Sequence, residues 1–303
     1  MFDLLRIGTR GSPLALAQAR LVAEALREAH GWGPERIEIV PMTTTGDQIT
    51  DRPLAEVGGK GLWTKELDRA LIEGRTDISV HSMKDVETIR PPELEIAAML
   101  PRADFRDRLV GAESIEALAE GARFGTSSPR RAAQLLRRRP DLEIVSFRGN
   151  VQTRLRKLSL GEADATLLAA AGLDRLEHPE IGVPLDALLP APAQGAVGIE
   201  ILAENRRLRP LIQAIDDEAT HLCVSAERRL LEGLGGSCRS PIAALALIEE
   251  GRMRLQGEIL TNDGRHCQDL DTTFDIGDRE APLVLARELL RVAAPPLRAL
   301  FSG

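Results

Sequence analysis

The chain carries the same local pattern twice. Ile7-Gly8-Thr9-Arg10-Gly11-Ser12-Pro13, followed by Ala17-Gln18, returns as Phe124-Gly125-Thr126-Ser127-Ser128-Pro129, followed by Ala133-Gln134. In each copy an apolar run reaches a Gly-Thr turn, then a Ser able to cap a helix, then a Pro suited to the first helical turn. The reading is strand, loop, helix start. A second pair follows in the same order: Leu71-Ile72-Glu73-Gly74-Arg75-Thr76-Asp77-Ile78 resembles Leu158-Ser159-Leu160-Gly161-Glu162-Ala163-Asp164-Ala165, a helix ending at Gly before the next strand. Turns of this composition are common, but the repeated order predicts two related lobes. Helix N-termini carry unpaired N–H groups and partial positive charge, so two such loops facing each other are expected to form a cleft for anions.

The rhythm around the repeat is β-α-β, which implies a parallel sheet in each lobe. In the first lobe strands are expected at 4–7, 37–41 and 77–81 and helices at 13–30 and about 63–73; in the second, strands at 123–125, 144–147 and 165–169 and helices at 129–139, 151–160 and near Arg175. Pro184, Pro190 and Pro192 then break the pattern, and Gln194-Gly195-Ala196-Val197-Gly198-Ile199 reads as a strand returning to the first lobe. After Ile215 a helix over about 218–234 leads to three alternating apolar runs at 242–248, 253–260 and 266–274, with hairpin turns at Gly251 and Asn262-Asp263-Gly264 and a closing helix at about 281–293. The expected division is 1–98 with 195–215, then 103–190, then 218–303. A length of 303 residues suits two or three domains.

Charge is distributed unevenly. Against a net charge of −7, nine arginines lie between Arg123 and Arg156, with only Asp141 and Glu143 to oppose them. A basic region inside an acidic chain points to a local polyanionic ligand. Nucleic acid is not expected, because aromatics are 3% of the chain and Tyr is absent, leaving few stacking platforms. Arg137, Arg138 and Arg139 read as a solvated helix end favoured by the helix dipole. The chain has only four lysines, Lys60, Lys65, Lys84 and Lys157, so a retained amine at Lys60 or Lys84 draws notice. No run approaches the about 20 apolar residues of a membrane span, and the N-terminus lacks the basic and apolar regions of a signal peptide. A cytoplasmic protein is expected. Cys223, Cys238 and Cys267 show no disulfide framework and no zinc-ligand spacing, so no metal is expected and the thiols should be reduced.

Three runs carry candidate chemistry. Gly58-Gly59-Lys60-Gly61 fails as a phosphate loop, since Leu54 and Gly61 stand where the first Gly and the Ser or Thr should be, and reads as a flexible anion-touching loop. His81-Ser82-Met83-Lys84-Asp85 puts an acid beside an amine at the carboxyl end of a strand, where open α/β sheets bind ligands. Asp85 could stabilise a developing cation or shuttle protons, or it could be half of a surface salt bridge. His81 lacks a partner at a telling spacing and reads as structural. Cys223 and Cys267 fit apolar helix and strand positions, whereas Cys238 lies in a Gly-rich loop beside Arg239, open to a role as nucleophile or attachment point or to none.

Together these runs closely resemble the porphobilinogen deaminase family, whose members are also called hydroxymethylbilane synthases. The match spans essentially the whole chain and rests on Thr9-Arg10 to Gln18, Gly58 to Gly61, His81 to Val86, Gly125 to Arg131, Arg148-Gly149-Asn150, Gln194-Gly195-Ala196 and the Cys238 loop. The resemblance implies an α/β fold of two periplasmic-binding-protein-like (type II) lobes with mixed sheets, the first discontinuous. To these it adds a small α+β C-terminal domain with a three-stranded antiparallel sheet. It implies a transferase that joins four porphobilinogen units head to tail with release of ammonia, on a dipyrromethane cofactor held by a thioether to Cys238, giving hydroxymethylbilane for tetrapyrrole (haem) synthesis. By resemblance Asp85 is the catalytic carboxylate. Lys84, Asp85, Ser128, Arg130 and Arg131 bind the cofactor; Arg10, Ser12, Gln18, Arg148, Arg154 and Arg175 bind substrate carboxylates. The implied partners are porphobilinogen and the growing pyrrole chain, with no nucleic acid or membrane, and the implied state is a monomer.

Some positions depart from the family. Some relatives carry a basic residue where Glu56 stands and Arg where Thr45 stands, so neither receives a role. Glu87 replaces a Pro common after the Asp-Val pair, which leaves the path beyond Asp85 open. Two competing readings remain: a non-catalytic two-lobed anion-binding or sensor protein, and Schiff-base chemistry at Lys84.

Overall fold

A computed structural model of the chain describes residues 4–44, 64–237 and 240–301. Its strands, in chain order, begin with β1 (Leu5–Arg10), β2 (Ile37–Met42), β3 (Ile78–Ser82), β4 (Leu94–Met99), β5 (Asp107–Val110), β6 (Arg123–Gly125) and β7 (Glu143–Val145). There follow β8 (Ala165–Ala169), β9 (Val183–Leu185), β10 (Val197–Leu202), β11 (Ile242–Glu249), β12 (Arg252–Leu260) and β13 (Cys267–Asp275). Contacts divide the chain into two units, Met1–Ala103 with Gly195–His221, and Asp104–Gln194 with Leu222–Gly303.

The first unit is built on a sheet of order β2-β1-β3-β10-β4. β1 runs parallel to β2 and β3, while β10 runs antiparallel to β3 and β4, so the sheet is mixed. The returning strand expected near Val197 is β10, inserted between β3 and β4. Helix Pro13–His30 starts where expected because Ser12 Oγ accepts the Ala15 N–H at 3.3 Å and Pro13 occupies the first turn. It stops at Gly31, whose φ of 62° is the left-handed geometry that closes a helix without Cβ strain. The helix buries Ala15, Gln18, Ala19, Val22 and Leu26, spaced by threes and fours. Ala19, Val22 and Leu26 pack with Leu5, Ile7, Ile78, Val80, Val197 and Ile199 in one core.

The second unit repeats the plan, with order β7-β6-β8-β5-β9. β6 is parallel to β7 and β8, and β5 antiparallel to β8 and β9, matching the first sheet place for place. Ser128 Oγ accepts the Arg131 N–H at 3.4 Å at the start of helix Pro129–Arg138, and Asn150 Oδ1 accepts the Thr153 N–H at 2.9 Å at the start of helix Val151–Ser159. Gly125 is required by a close approach: a Cβ there would lie 2.5 Å from the Phe147 ring.

The same unit contains the antiparallel sheet β11-β12-β13, joined by hairpins. Helices Glu218–Gly233 and Ala281–Val292 supply Leu230, Leu285 and Leu289 to a core shared with Ile242, Leu255 and Ile259. Its strand β12 meets helix Pro129–Arg138 through Gln134, whose Nε2 donates to Glu258 Oε1 at 2.6 Å.

Two expectations need correction. β4, β5 and β9 were not foreseen; β5 and β9 hold only four and three residues, too few to show a period. Arg139 is not a solvated helix-end cation. Its guanidinium donates to the carbonyls of Ile115 (3.0 Å), Leu118 (3.0 Å) and Ala119 (3.1 Å) and to Asp141, so it ties the preceding turn to the helix end.

Candidate functional site

In the first unit the chemistry gathers beyond the carboxyl ends of β1 and β3. β1 ends at Arg10 and hands over to the Ser12 cap; β3 ends at Ser82 and turns through a short 3-10 helix, Met83–Asp85. A pocket opens there, lined by Arg10, Ser12, Gln18, Thr64, His81, Ser82 and Asp85, with Leu14, Ala15, Val80 and Val86 completing its wall. Gln18 is 3% exposed and tied to the pocket edge, its Nε2–H donating to Ser82 Oγ at 2.8 Å. The Asp85 carboxylate lines this pocket together with Arg10, and accepts no hydrogen bond from the described residues. Lys84, beside it in the turn, is half-buried.

His81 is the structural histidine expected. Its Nε2 lies 3.0 Å from Glu200 Oε2 on β10, where Glu200 is fully buried. Burial alone would push the Glu200 carboxyl up; hydrogen bonds and charge from His81 and Arg90 outweigh it and bring it to about 2.

In the second unit Arg130 and Arg131 are both buried and share one carboxylate. Asp107 accepts from Arg130 Nη1 (2.8 Å), Arg131 Nη2 (2.7 Å) and Gln194 Nε2 (2.8 Å). Burial pushes the Asp107 carboxyl up, but the two guanidinium groups hold it well below the usual carboxylate range. The two guanidinium groups share this one carboxylate, and Glu258 adds a second negative charge near Arg130. Arg130 Nε and, further along the chain, Arg148 Nη1 are buried with no hydrogen-bond partner. Orphaned guanidinium N–H groups of this kind are suited to a ligand carboxylate. Burial also pushes the Arg175 guanidinium down, which an anion beside it would reverse. Arg154 Nε donates to Gly149 O at 3.0 Å within the Arg148-Gly149-Asn150 turn, and Ser128 Oγ accepts the Arg131 N–H as its helix cap, leaving its own O–H to donate.

Arg10, Ser12, Gln18 and Asp85 therefore line one pocket, and Arg130 and Arg131 form one buried pair. Cys238, with the Gly58 to Gly61 loop, Lys60, Thr45 and Glu56, lies outside the described residues. Sequence reasoning missed Asp107, which sits in a short strand far from the arginines it serves. It also missed Glu200, although a charged residue inside the apolar run Val197–Leu202 was a signal. Gln194 was noticed only as part of a motif.

Residues 5–210 match the family described as porphobilinogen deaminase, dipyromethane cofactor binding domain, and residues 221–290 match porphobilinogen deaminase, C-terminal domain. A porphobilinogen deaminase of Sphingopyxis alaskensis is 54% identical over 98% of this chain and 96% of its own length. One of Paracoccus denitrificans is 49% identical over 96% of this chain and 95% of its own. Among solved structures, an ancestral cationic amino acid solute binding protein is similar at 18% identity and a TM-score of 0.45, covering 70% of this chain and 87% of that one.

Proposed function

The chain belongs to the porphobilinogen deaminase family, and on that premise we propose that Asp85 is its catalytic carboxylate and Cys238 the attachment point of its dipyrromethane cofactor. The enzyme is a transferase that joins four porphobilinogen units with release of ammonia and yields hydroxymethylbilane for tetrapyrrole synthesis. When bound, dipyrromethane supplies the primer ring from which the chain grows.

Asp85 carries the reading: a carboxylate with no hydrogen-bond donor among the described residues, in a pocket that also holds Arg10. Loss of the amine from porphobilinogen leaves an electron-poor ring, and a fixed carboxylate near its ring nitrogen stabilises the positive charge that develops. The substrate's acetate and propionate groups need cations, and we assign them to Arg10, Arg148, Arg154 and Arg175, with Ser12 and Gln18 as neutral donors. Arg130, Arg131, Lys84 and Ser128 are assigned to the cofactor's carboxylates. The paired buried guanidinium groups around Asp107 and the orphaned Arg130 Nε support that assignment. Within the same proposal the chain has three domains, over 1–98 with 195–215, 103–190 and 218–303, and acts as a cytoplasmic monomer that binds neither nucleic acid nor membrane. No helix among the described residues is long and apolar enough to cross a membrane. A non-catalytic sensor is not favoured, since the curated relatives that match over nearly the full length are deaminases.

Asp85→Ala tests the assignment. Bilane formation should fall by about 100- to 1,000-fold, the scale on which a main electrostatic stabiliser acts, with an unchanged melting temperature. Turnover at the unsubstituted rate would contradict it.

A further inference from the structure

The segment from His81 to Arg90 leaves β3 and carries Asp85 near its middle. Both of its ends are fastened to one buried residue. Glu200 Oε2 meets His81 Nε2 at 3.0 Å, and the same carboxylate accepts Arg90 Nε at 2.8 Å on Oε1 and Arg90 Nη2 at 3.0 Å on Oε2. Arg90 uses its remaining N–H groups as well: Nη1 donates to Glu87 Oε2 (2.5 Å) and Thr64 Oγ1 (3.3 Å), and Nη2 to Asp68 Oδ1 (2.5 Å). All five guanidinium donors are thus engaged, on a side chain 9% exposed. Glu87 joins this set and also accepts from Thr64 Oγ1 at 2.9 Å. The path beyond Asp85 is therefore held by ionic hydrogen bonds.

We propose that Glu200 and Arg90 form a clamp that positions Asp85 for catalysis, with Arg90 as the positioning residue at the far end of the segment. The inference rests on the reading of Asp85 as the catalytic carboxylate. Neither residue lines the pocket that holds Asp85; each acts through the backbone it anchors. A carboxylate that must meet a developing charge is sensitive to its placement, and a shift of about 1 Å can cost about 100-fold in rate. Contacts that bind the ground state, through Arg10, Ser12 and Gln18, lie outside the clamped segment and should survive its loss.

The experiment compares Arg90→Met, Arg90→Lys and Asp85→Ala as full chains, measuring kcat, KM, melting temperature and cofactor loading by intact mass. Arg90→Met, which keeps the apolar stem, should lose about 10-fold or more in kcat with KM within about twofold and with cofactor loading unchanged. Arg90→Lys should recover part of the loss, since an ammonium has three donors at one point and cannot fork across Glu200, Asp68 and Glu87. A purely structural role would lower the melting temperature and leave kcat unmoved in protein assayed well below it. An Arg90→Met enzyme with unsubstituted kcat overturns the clamp; should that variant not fold, an Arg90→Lys enzyme with unsubstituted kcat overturns it equally. If Asp85→Ala stays active the catalytic reading itself falls and the clamp with it, whereas an inactive Asp85→Ala beside a fully active Arg90→Met removes the clamp alone.

Discussion

Glu200 and Asp107 are buried carboxylates kept ionised by the donors around them, Glu200 by Arg90 and His81, Asp107 by Arg130 and Arg131. Both are anionic in the folded protein at pH values where an unfolded chain would have begun to take up protons. A carboxyl whose value is lowered on folding stabilises the fold above its ordinary range, and that contribution is lost as pH falls through the folded value. For Glu200 the window runs from its ordinary 4.5 down to about 2, and Asp107 acts in the same direction at lower pH. Stability measured by denaturant titration should therefore drop steeply between about pH 4.5 and 2. Glu200→Gln should flatten that slope. A Glu200→Gln protein with the unsubstituted slope would contradict the ion-pair account. These residues also show where sequence reading stops: Arg130 and Arg131 were visible as a basic pair, but Asp107 lies in a four-residue strand whose partners only the sheet order reveals.

At the scale of elements, helix starts were the most legible features. Ser12-Pro13, Ser128-Pro129 and Asn150 each cap where expected because a short polar side chain can accept an N–H of the first turn, a local event independent of distant packing. Asn150→Ala should cost about 1 kcal/mol and Asn150→Gly only a few tenths, read from urea midpoints; equal effects from both would place the stabilisation elsewhere than in the cap. The repeat also shows how equivalent positions diverge once packing differs. Gln18 of the first copy reaches Ser82 at the pocket edge, whereas Gln134 of the second turns its amide to Glu258 on β12. Strand ends were less legible: β7 starts and ends earlier than expected, since its last residues are consumed by the turn to Phe147 and Arg148.

At the scale of the whole chain, the repeat predicted two lobes of one design, and the matched orders β2-β1-β3-β10-β4 and β7-β6-β8-β5-β9 bear that out. The insertion of β10 into the first sheet makes the first unit discontinuous in sequence. Composition could bound the number of cores but not the reaction. That came from the family to which the chain belongs, with Asp85 in its pocket and the buried arginines proposed to serve it. The central claim is a deaminase primed by a cofactor tied to Cys238. Intact-mass spectrometry of the purified protein and of Cys238→Ala, before and after incubation with porphobilinogen, tests it most directly. The account predicts that the native chain exceeds its sequence mass by one dipyrromethane, while Cys238→Ala runs at its sequence mass and gains nothing covalent from substrate. A native chain at sequence mass that gains nothing with substrate, or a Cys238→Ala protein that still carries the added mass, would contradict it.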